Sequence, residues 1–176
     1  MARKRKKTRL TARDLFRTRI VTDCRIAPAG DRIVYSVLRD DEEKLKRYSD
    51  LWLVDADARN TLQFTHGEHA DQSPRWSPDG TQIAFLSNRT DEKQFQIYII
   101  PTGGGEARQL TELKGEFSDL SWSPDGRLLL FCFRKKDQEA IEREKDEEKK
   151  KRGVVAREYT RVFYKQDGEG YLPHER

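Results

Sequence analysis

Arg75-Trp76-Ser77-Pro78-Asp79-Gly80 decides the fold, because the same pattern returns as Ser121-Trp122-Ser123-Pro124-Asp125-Gly126. A degenerate copy, Arg25-Ile26-Ala27-Pro28-Ala29-Gly30, lies upstream. The closing glycines at positions 30, 80 and 126 are therefore separated by 50 and 46 residues. Self-similarity at a period of about 40–50 residues is typical of the blades of a β-propeller.

Each copy of the motif predicts a tight turn between two antiparallel strands. Proline fixes φ, aspartate bonds to the nearby backbone, and glycine adopts positive φ without steric cost. An apolar run follows each turn, at Ile33–Tyr35, Ile83–Leu86 and Leu128–Phe131. Third strands are predicted at Asp50–Asp55 and Gln96–Pro101, and fourth strands at Thr61–Thr65 and Arg108–Thr111.

Four short strands per repeat predict an all-β fold, a partial β-propeller of about two and a half four-stranded antiparallel blades. A short N-terminal helix and a charged helical insertion complete the predicted architecture. The predicted segments are a basic leader with the short helix over 1–22, blade 1 over 23–66, blade 2 over 67–112, and an incomplete blade 3 over 113–176 that is interrupted by the insertion at 135–152.

Two segments depart from the strand pattern. Thr11, with Asp14 three residues later, is typical of a helix N-terminus and predicts a short helix through Arg19. The insertion at 135–152 has almost no apolar residue, and its acid-to-base pairs four residues apart predict a solvated helix or disorder. A further strand and turn are predicted behind it, at Arg157–Tyr164 and Asp167–Gly170.

Charge is the most unusual feature of the composition. Of the 176 residues, 38% are charged and 35% are hydrophobic. Most of the net charge of +4 lies in the run Arg3–Lys7, which has no aromatic residue among its basic ones. We interpret this run as a solvated terminus and predict no nucleic-acid partner.

The two cysteines and the absence of long apolar runs bear on location. Cys24 and Cys132 lie far apart and predict neither a disulfide framework nor a zinc site. Cys132 lies in an apolar run, where a thiol is predicted to pack as a small hydrophobe. No apolar h-region follows the basic leader and no run of about 18 apolar residues occurs, so we expect no signal peptide, no membrane span and a cytoplasmic protein.

The repeats resemble the N-terminal propeller of serine peptidases of the prolyl oligopeptidase family, in the acylaminoacyl-peptidase and dipeptidyl-aminopeptidase branch. The resemblance spans nearly the whole chain apart from the basic leader and the insertion. It rests on Asp14 through Gly30, Tyr48–Asp55, Ser73–Gly80 with Ala84–Arg89, Gly103–Thr111 and Tyr164–Tyr171.

The resemblance implies a parent protein in which the propeller caps an α/β-hydrolase domain and limits access to short peptides. The implied chemistry is acyl transfer, in which a serine assisted by histidine and an oxyanion hole attacks a peptide carbonyl. This chain has no nucleophile elbow Gly-x-Ser-x-Gly. It is therefore expected to be inactive alone, with short peptide substrates reached only through the catalytic domain.

A non-enzymatic binding propeller of the periplasmic Tol-system type is the alternative, because it shares the Trp-Ser-Pro-Asp-Gly repeat. The missing signal peptide and the opening helix argue against it. Sequence downstream of Arg176 would discriminate the two classes. An independent interaction scaffold is a third hypothesis, but it needs a closed ring that this length cannot supply.

Several polar motifs resemble sites but fit structural roles better. His66 and His69 flank a glycine turn without an evident third metal ligand. Asp55–Asn60 begins like a calcium loop but lacks the required glycine and final glutamate. Gly103–Gly105 precedes a strand, which favours a hairpin turn over a phosphate-binding loop.

Aromatic and acidic pairs lead to the same conclusion. Trp76 and Trp122 are predicted as repeated core residues, because they keep a fixed place before the turn. Glu147-Glu148 is superficially like the paired glutamates that hold the substrate's amino terminus in some dipeptidyl relatives, but its flanking residues do not match. We therefore assign no catalytic, cofactor-binding or metal-binding residue.

An incomplete array of blades has a physical consequence. Blades bury their faces against neighbours, so an open array leaves apolar faces and strand edges exposed. The chain is predicted to associate with itself through exposed blade faces, or to be poorly soluble.

Overall fold

The computed structural model describes residues 10–136 together with positions 142, 145, 146, 148, 151, 165, 166, 170 and 171. The chain divides into two compact units, Met1–Arg134 and Lys135–Arg176. In the second unit, the described positions 142, 145, 148 and 151 are helical. Two short antiparallel strands are also described there, Lys165–Gln166 and Gly170–Tyr171.

The first unit consists of successive antiparallel sheets in chain order. The first sheet contains β1 (Arg19–Ile26), β2 (Arg32–Asp41), β3 (Lys46–Asp55) and β4 (Thr61–Gln63). The second contains β5 (Asp71–Trp76), β6 (Gln82–Ser87), β7 (Gln96–Pro101) and β8 (Arg108–Gln109). The third contains β9 (Gly115–Trp122) and β10 (Leu129–Lys135). Two four-stranded blades and the start of a third confirm the predicted partial propeller.

The repeated turn is held by its own serine and aspartate. Ser77 Oγ donates to Asp79 Oδ1 over 2.6 Å and accepts the Gln82 N–H over 2.9 Å. Ser123 and Asp125 repeat the first bond at 2.6 Å. The bond from Ser77, with those from the backbone and side chain of Thr81, keeps the pKa of Asp79 below its usual value. The hydroxyl that bridges the turn explains why serine stands before Pro-Asp-Gly.

Side chains alternate between two apolar layers that separate the sheets. The first layer joins β2 and β3 to the facing side of the second sheet, and consists of Ala27, Val34, Leu51, Leu53, Trp76, Ile83, Phe85, Tyr98 and Ile100. The second layer joins the opposite side of the second sheet to the third, and is centred on Ala84, Leu86, Ile97, Ile99 and Leu120. Because the second sheet is covered on both sides, β6 and β7 read as continuous apolar runs.

Each tryptophan of the repeat bonds to the preceding sheet. The indole Nε1 of Trp76 donates to the carbonyl of Arg25 over 2.9 Å, and that of Trp122 donates to the carbonyl of Arg75 over 3.0 Å. Arg25 and Arg75 are equivalent positions of the repeat, so the two bonds are copies of one contact. We call this pair of bonds the indole ladder.

The prolines and glycines of successive turns also approach each other. A Cβ built on Gly80 would lie 3.8 Å from Cδ of Pro28, and one built on Gly126 would lie 3.5 Å from Cδ of Pro78. The φ angles of these glycines are +71° and +69°. The turn therefore needs glycine for its own backbone conformation and places it beside the previous turn.

Three expectations need correction or fall outside the described residues. The N-terminal helix is a 3₁₀ helix at Ala12–Arg17, so the predicted extension through Arg19 is wrong, and the first strand, β1, begins at Arg19. Cys132 is exposed, because it lies on the side of β10 that faces away from the second sheet. Most of the insertion and the predicted strand at Arg157–Tyr164 lie outside the described residues.

The indole ladder predicts the effect of replacing its donors. Trp122→Phe keeps an aromatic ring but removes the N–H, so the free energy of unfolding is expected to fall by about 1–2 kcal/mol. Trp52→Phe is the matched control, because the described residues offer its indole no inter-sheet acceptor of this kind. Urea unfolding of both variants measures the difference, and equal losses would contradict the role of the ladder.

Candidate functional site

The most polar buried site lies between the first and second sheets, at the start of β5. Asp71 is fully buried, and Arg89 Nη2 donates to both of its carboxylate oxygens, over 3.1 and 2.9 Å. The backbone carbonyl of Asp71 accepts bonds from Ser36 Oγ at 3.0 Å and Ser49 Oγ at 2.8 Å, both from the first sheet. We call these residues, with His69, the Asp71 cluster. It ties the second sheet to the first.

Local structure holds the two basic side chains of the Asp71 cluster, His69 and Arg89, in place. His69 Nε2 is buried and lies 3.3 Å from Asp71 Oδ2, which is long for a hydrogen bond. The imidazole ring packs over Gly67, where a Cβ would overlap a ring carbon. The Arg89 guanidinium lies 5.3 Å from the centre of the Phe85 ring and 4.9 Å from that of Tyr98. The arginine is thus held between a carboxylate and two aromatic faces.

The electrostatics of the cluster favour an ionised carboxylate. Burial acts to raise the pKa of Asp71, but the adjacent His69 imidazole, the charge of Arg89 and the hydroxyls of Ser87 and Thr65 outweigh it. The net result is a pKa below the usual value of 3.8. A fully buried carboxylate paired with arginine is suited to fixing the start of β5, whose backbone carbonyl binds the first sheet, rather than to proton transfer.

A second polar contact links the inner strands of all three sheets. Arg75 Nη1 pairs with Asp23 Oδ2 of the first sheet at 2.7 Å, and Arg75 Nε donates to the carbonyl of Leu120 in the third sheet at 2.9 Å. A β-bulge in β5, with Ser73 at φ +54°, precedes Arg75, and Asp119, at the equivalent position of β9, has φ +53°. The bulge redirects the strand where the arginine reaches both neighbours.

The side of the first sheet that faces away from the second sheet carries a cavity of about 800 Å³. Tyr35, Val37 and Trp52 form its apolar part, and we call this side the outward face of the first sheet. Asp50 also contributes to the cavity wall; its side chain is only 3% exposed and accepts a bond from Arg39 Nε at 2.8 Å. Its other oxygen, Oδ1, has no hydrogen-bond partner among the described residues.

The motifs considered from sequence do not converge on one site. His66 is exposed, whereas His69 turns inward to Asp71. Asp55–Asn60 is a turn between β3 and β4 in which Asn60 Nδ2 donates to Asp55 Oδ2 over 2.6 Å. Gly103–Gly105 forms the hairpin turn between β7 and β8, as predicted.

Metal ligands and membrane spans can be judged only for the described part of the chain. No group of three or more histidine, cysteine, aspartate or glutamate side chains there is arranged to hold a metal ion. No helix within it is long and apolar enough to cross a membrane. Glu148 is a described helical position, whereas Glu147 lies outside the described residues.

Sequence reasoning missed Asp71, Arg89, Arg75 and Asp50. Two of them could have been found from the sequence. Asp71 is a lone aspartate at the start of the strand that ends in the tryptophan motif, and Arg89 follows the apolar run of β6. Their pairing depends on tertiary contacts that the pattern does not carry.

A protein-family comparison matches the region that contains these sheets. The family profile of the TolB beta propeller domain matches residues 10–159. The chain belongs to the TolB beta propeller domain family. For this TolB-type propeller, the match covers both complete sheets and the described third sheet.

Two curated relatives with sequences similar to this chain are described as peptidases. The chain is 38% identical over 162 residues to the uncharacterized peptidase YuxL of Bacillus subtilis, covering 92% of the chain and 24% of that relative. It is 30% identical to dipeptidyl-peptidase 5 of Porphyromonas endodontalis, covering 80% of the chain and 20% of that relative. The chain thus spans about a quarter or less of these curated relatives, and the resemblance to peptidase propellers is confirmed.

Solved structures agree on the propeller fold. The acylaminoacyl peptidase of Pyrococcus horikoshii superposes with a TM-score of 0.61 at 19% identity, covering 89% of the chain and 22% of that structure. A putative TolB from Agrobacterium tumefaciens superposes with a TM-score of 0.51 at 25% identity, covering 62% of the chain and 37% of that structure. The TolB-type propeller therefore has both peptidase and TolB neighbours.

The Asp71 cluster predicts an acid-sensitive contribution to stability. Because the folded-state pKa of Asp71 is below 3.8, its contribution is complete above about pH 4 and is lost as pH falls through the lowered value. Asp71→Asn should reduce the free energy of unfolding at pH 7 by about 3 kcal/mol and flatten its fall in acid. Asp57→Asn, in an exposed turn, is the control for urea unfolding between pH 7 and pH 3. Parallel pH profiles for the wild type and Asp71→Asn would refute the role of the cluster.

Proposed function

We propose that this chain is the non-catalytic N-terminal propeller of a serine peptidase that releases short units from the amino-terminal end of peptides. The similarity to the Bacillus peptidase over 92% of the chain carries the proposal. The peptidase relatives are about four to five times longer than the matched region, which leaves room in them for further blades and a catalytic domain.

The arrangement of the inner strands supports a gating role. β1, β5 and β9 are neighbours across the sheets and carry the pair of Asp23 and Arg75. In a propeller these strands line the central channel. We propose that the Arg75 bridge keeps the blades from separating there, so that only short peptides pass to a catalytic site beneath.

A cytoplasmic location is part of the proposal. Both cysteines are free and exposed, which is compatible with a reducing compartment.

A non-enzymatic binding propeller of the Tol type is the second candidate. It is favoured by the description of the matching family and by the likeness to the putative TolB from Agrobacterium tumefaciens. In that case the propeller itself would recognise a protein partner.

Active-site labelling discriminates the two candidates. The gene is expressed with whatever reading frame continues past the codon for Arg176, alongside the 176-residue chain. The peptidase proposal expects a fluorophosphonate probe to label the longer product and not the chain, because the serine nucleophile is supplied by another domain. A continuing frame without labelling or peptidase activity, or a stop codon with no hydrolase sequence, would rule the peptidase out in favour of a binding protein.

The gating role predicts a change in length selectivity. In the longer product, Arg75→Ala should raise kcat/KM for long peptides relative to short ones several-fold, because the bridge between inner strands is lost. Arg59→Ala, in the exposed turn after β3, is the control. An unchanged ratio of long to short substrates would show that the bridge does not restrict the channel.

A further inference from the structure

Two sheet faces of this chain have no neighbouring sheet among the described residues. One is the outward face of the first sheet. The other is the side of the third sheet that carries Leu130 and Cys132, both exposed. Exposed apolar residues also lie along β1, where Ile20, Val21 and Ile26 are 47%, 57% and 67% exposed.

The second sheet shows what covers each kind of face. Phe85 and Tyr98 are cross-strand partners and pack on the first sheet. Tyr35 and Trp52 are the equivalent cross-strand partners on the outward face of the first sheet. The outward face of the first sheet thus resembles the face of the second sheet that is buried against the first.

The third sheet carries the complementary half. Ala84 and Leu86 of β6 pack in the layer between the second and third sheets. Their equivalents 46 residues later are Leu130 and Cys132. One chain therefore has both halves of an inter-sheet contact, one at each end of the array.

We propose that a second copy of this chain docks head-to-tail, with the third sheet of one copy against the outward face of the first sheet of the next. A contact between different surfaces need not close, so the products are open chains of copies. The proposal rests on the propeller fold of these 176 residues and requires no peptidase activity. In a longer polypeptide, a further blade would compete for the same face.

The proposed junction differs from the contacts inside the chain in one respect. Ile26 stands where Trp76 and Trp122 stand, so the docked copy has no indole N–H to donate to the carbonyl of Ser121. The junction should therefore be weaker than the contacts between adjacent sheets within one chain, and association should depend on concentration.

Equivalent positions predict which residues meet across the junction. Ser36 Oγ contacts the backbone of Asp71 within the chain. Cys132 is the equivalent of Ser36 two repeats on, and Val21 is the equivalent of Asp71 one repeat earlier. Cys132 of one copy should therefore lie beside Val21 of the next.

Disulfide trapping tests this contact directly. The background variant Cys24→Ser leaves Cys132 as its single cysteine, and Val21→Cys is added to it. Mild oxidation should give dimers and longer species in which peptide mapping finds the residue-21 cysteine linked to Cys132. Leu62→Cys in the same background is the control, because Leu62 is 60% exposed but does not lie on β1. Linkage only between identical positions, or equal linkage from Leu62→Cys, would overturn the head-to-tail arrangement.

The missing ladder bond gives a second, independent readout. Ile26→Trp should restore the donor and tighten association about fivefold, the change expected of one net hydrogen bond. Ile26→Phe adds an aromatic ring without the N–H and should not reproduce the gain. Sedimentation velocity across a concentration series measures both. A chain that stays monomeric throughout, or equal effects of the two substitutions, would refute the proposed junction.

Discussion

The bond from a tryptophan indole to the backbone of the preceding sheet fixes how one sheet lies against the next. Apolar burial draws two sheets together but does not specify their register, since it is non-directional. The bonds from Trp76 to Arg25 and from Trp122 to Arg75 supply the missing direction. Each tryptophan also ends the inner strand and begins the turn, so a single residue links strand, turn and neighbouring sheet.

Polar contacts also join each pair of adjacent sheets, and the residues that make them differ from one pair to the next. Between the first and second sheets, the Asp71 cluster holds an ionised carboxylate in a fully buried position. At the inner strands, Arg75 reaches both neighbouring sheets. The first sheet has Val21 and Ile26 where the second has Asp71 and Trp76. The outward face of the first sheet therefore cannot repeat either contact, although it carries aromatic residues at the positions equivalent to Phe85 and Tyr98.

Much of the fold could be predicted because turn chemistry is local. Pro78-Asp79-Gly80 and its copies require a reverse turn, and the apolar run after each of them requires a covered strand. The end of the N-terminal helix was wrong because Thr11 and Asp14 fix where a helix begins and not where it stops. Cys132 was misjudged because an apolar run of this kind does not reveal which of its sides lacks a neighbour.

The polar contacts could not be predicted, for a physical reason. Asp71 and Arg89 are 18 residues apart, and Arg75 and Asp23 are 52 apart, so their pairing exists only once the sheets have stacked. Asp50 is buried, although an aspartate at the start of a predicted strand is expected to face solvent. The role as a propeller domain, by contrast, followed from the repeat and is supported by the family match.

Hydrogen exchange of the three indole N–H protons, followed by NMR at a concentration where the chain is monomeric, tests the central claim most directly. If the indole ladder joins the sheets, the protons of Trp76 and Trp122 exchange slowly and that of Trp52 exchanges rapidly. Equal exchange rates for all three would show that the ladder does not hold the sheets together in solution.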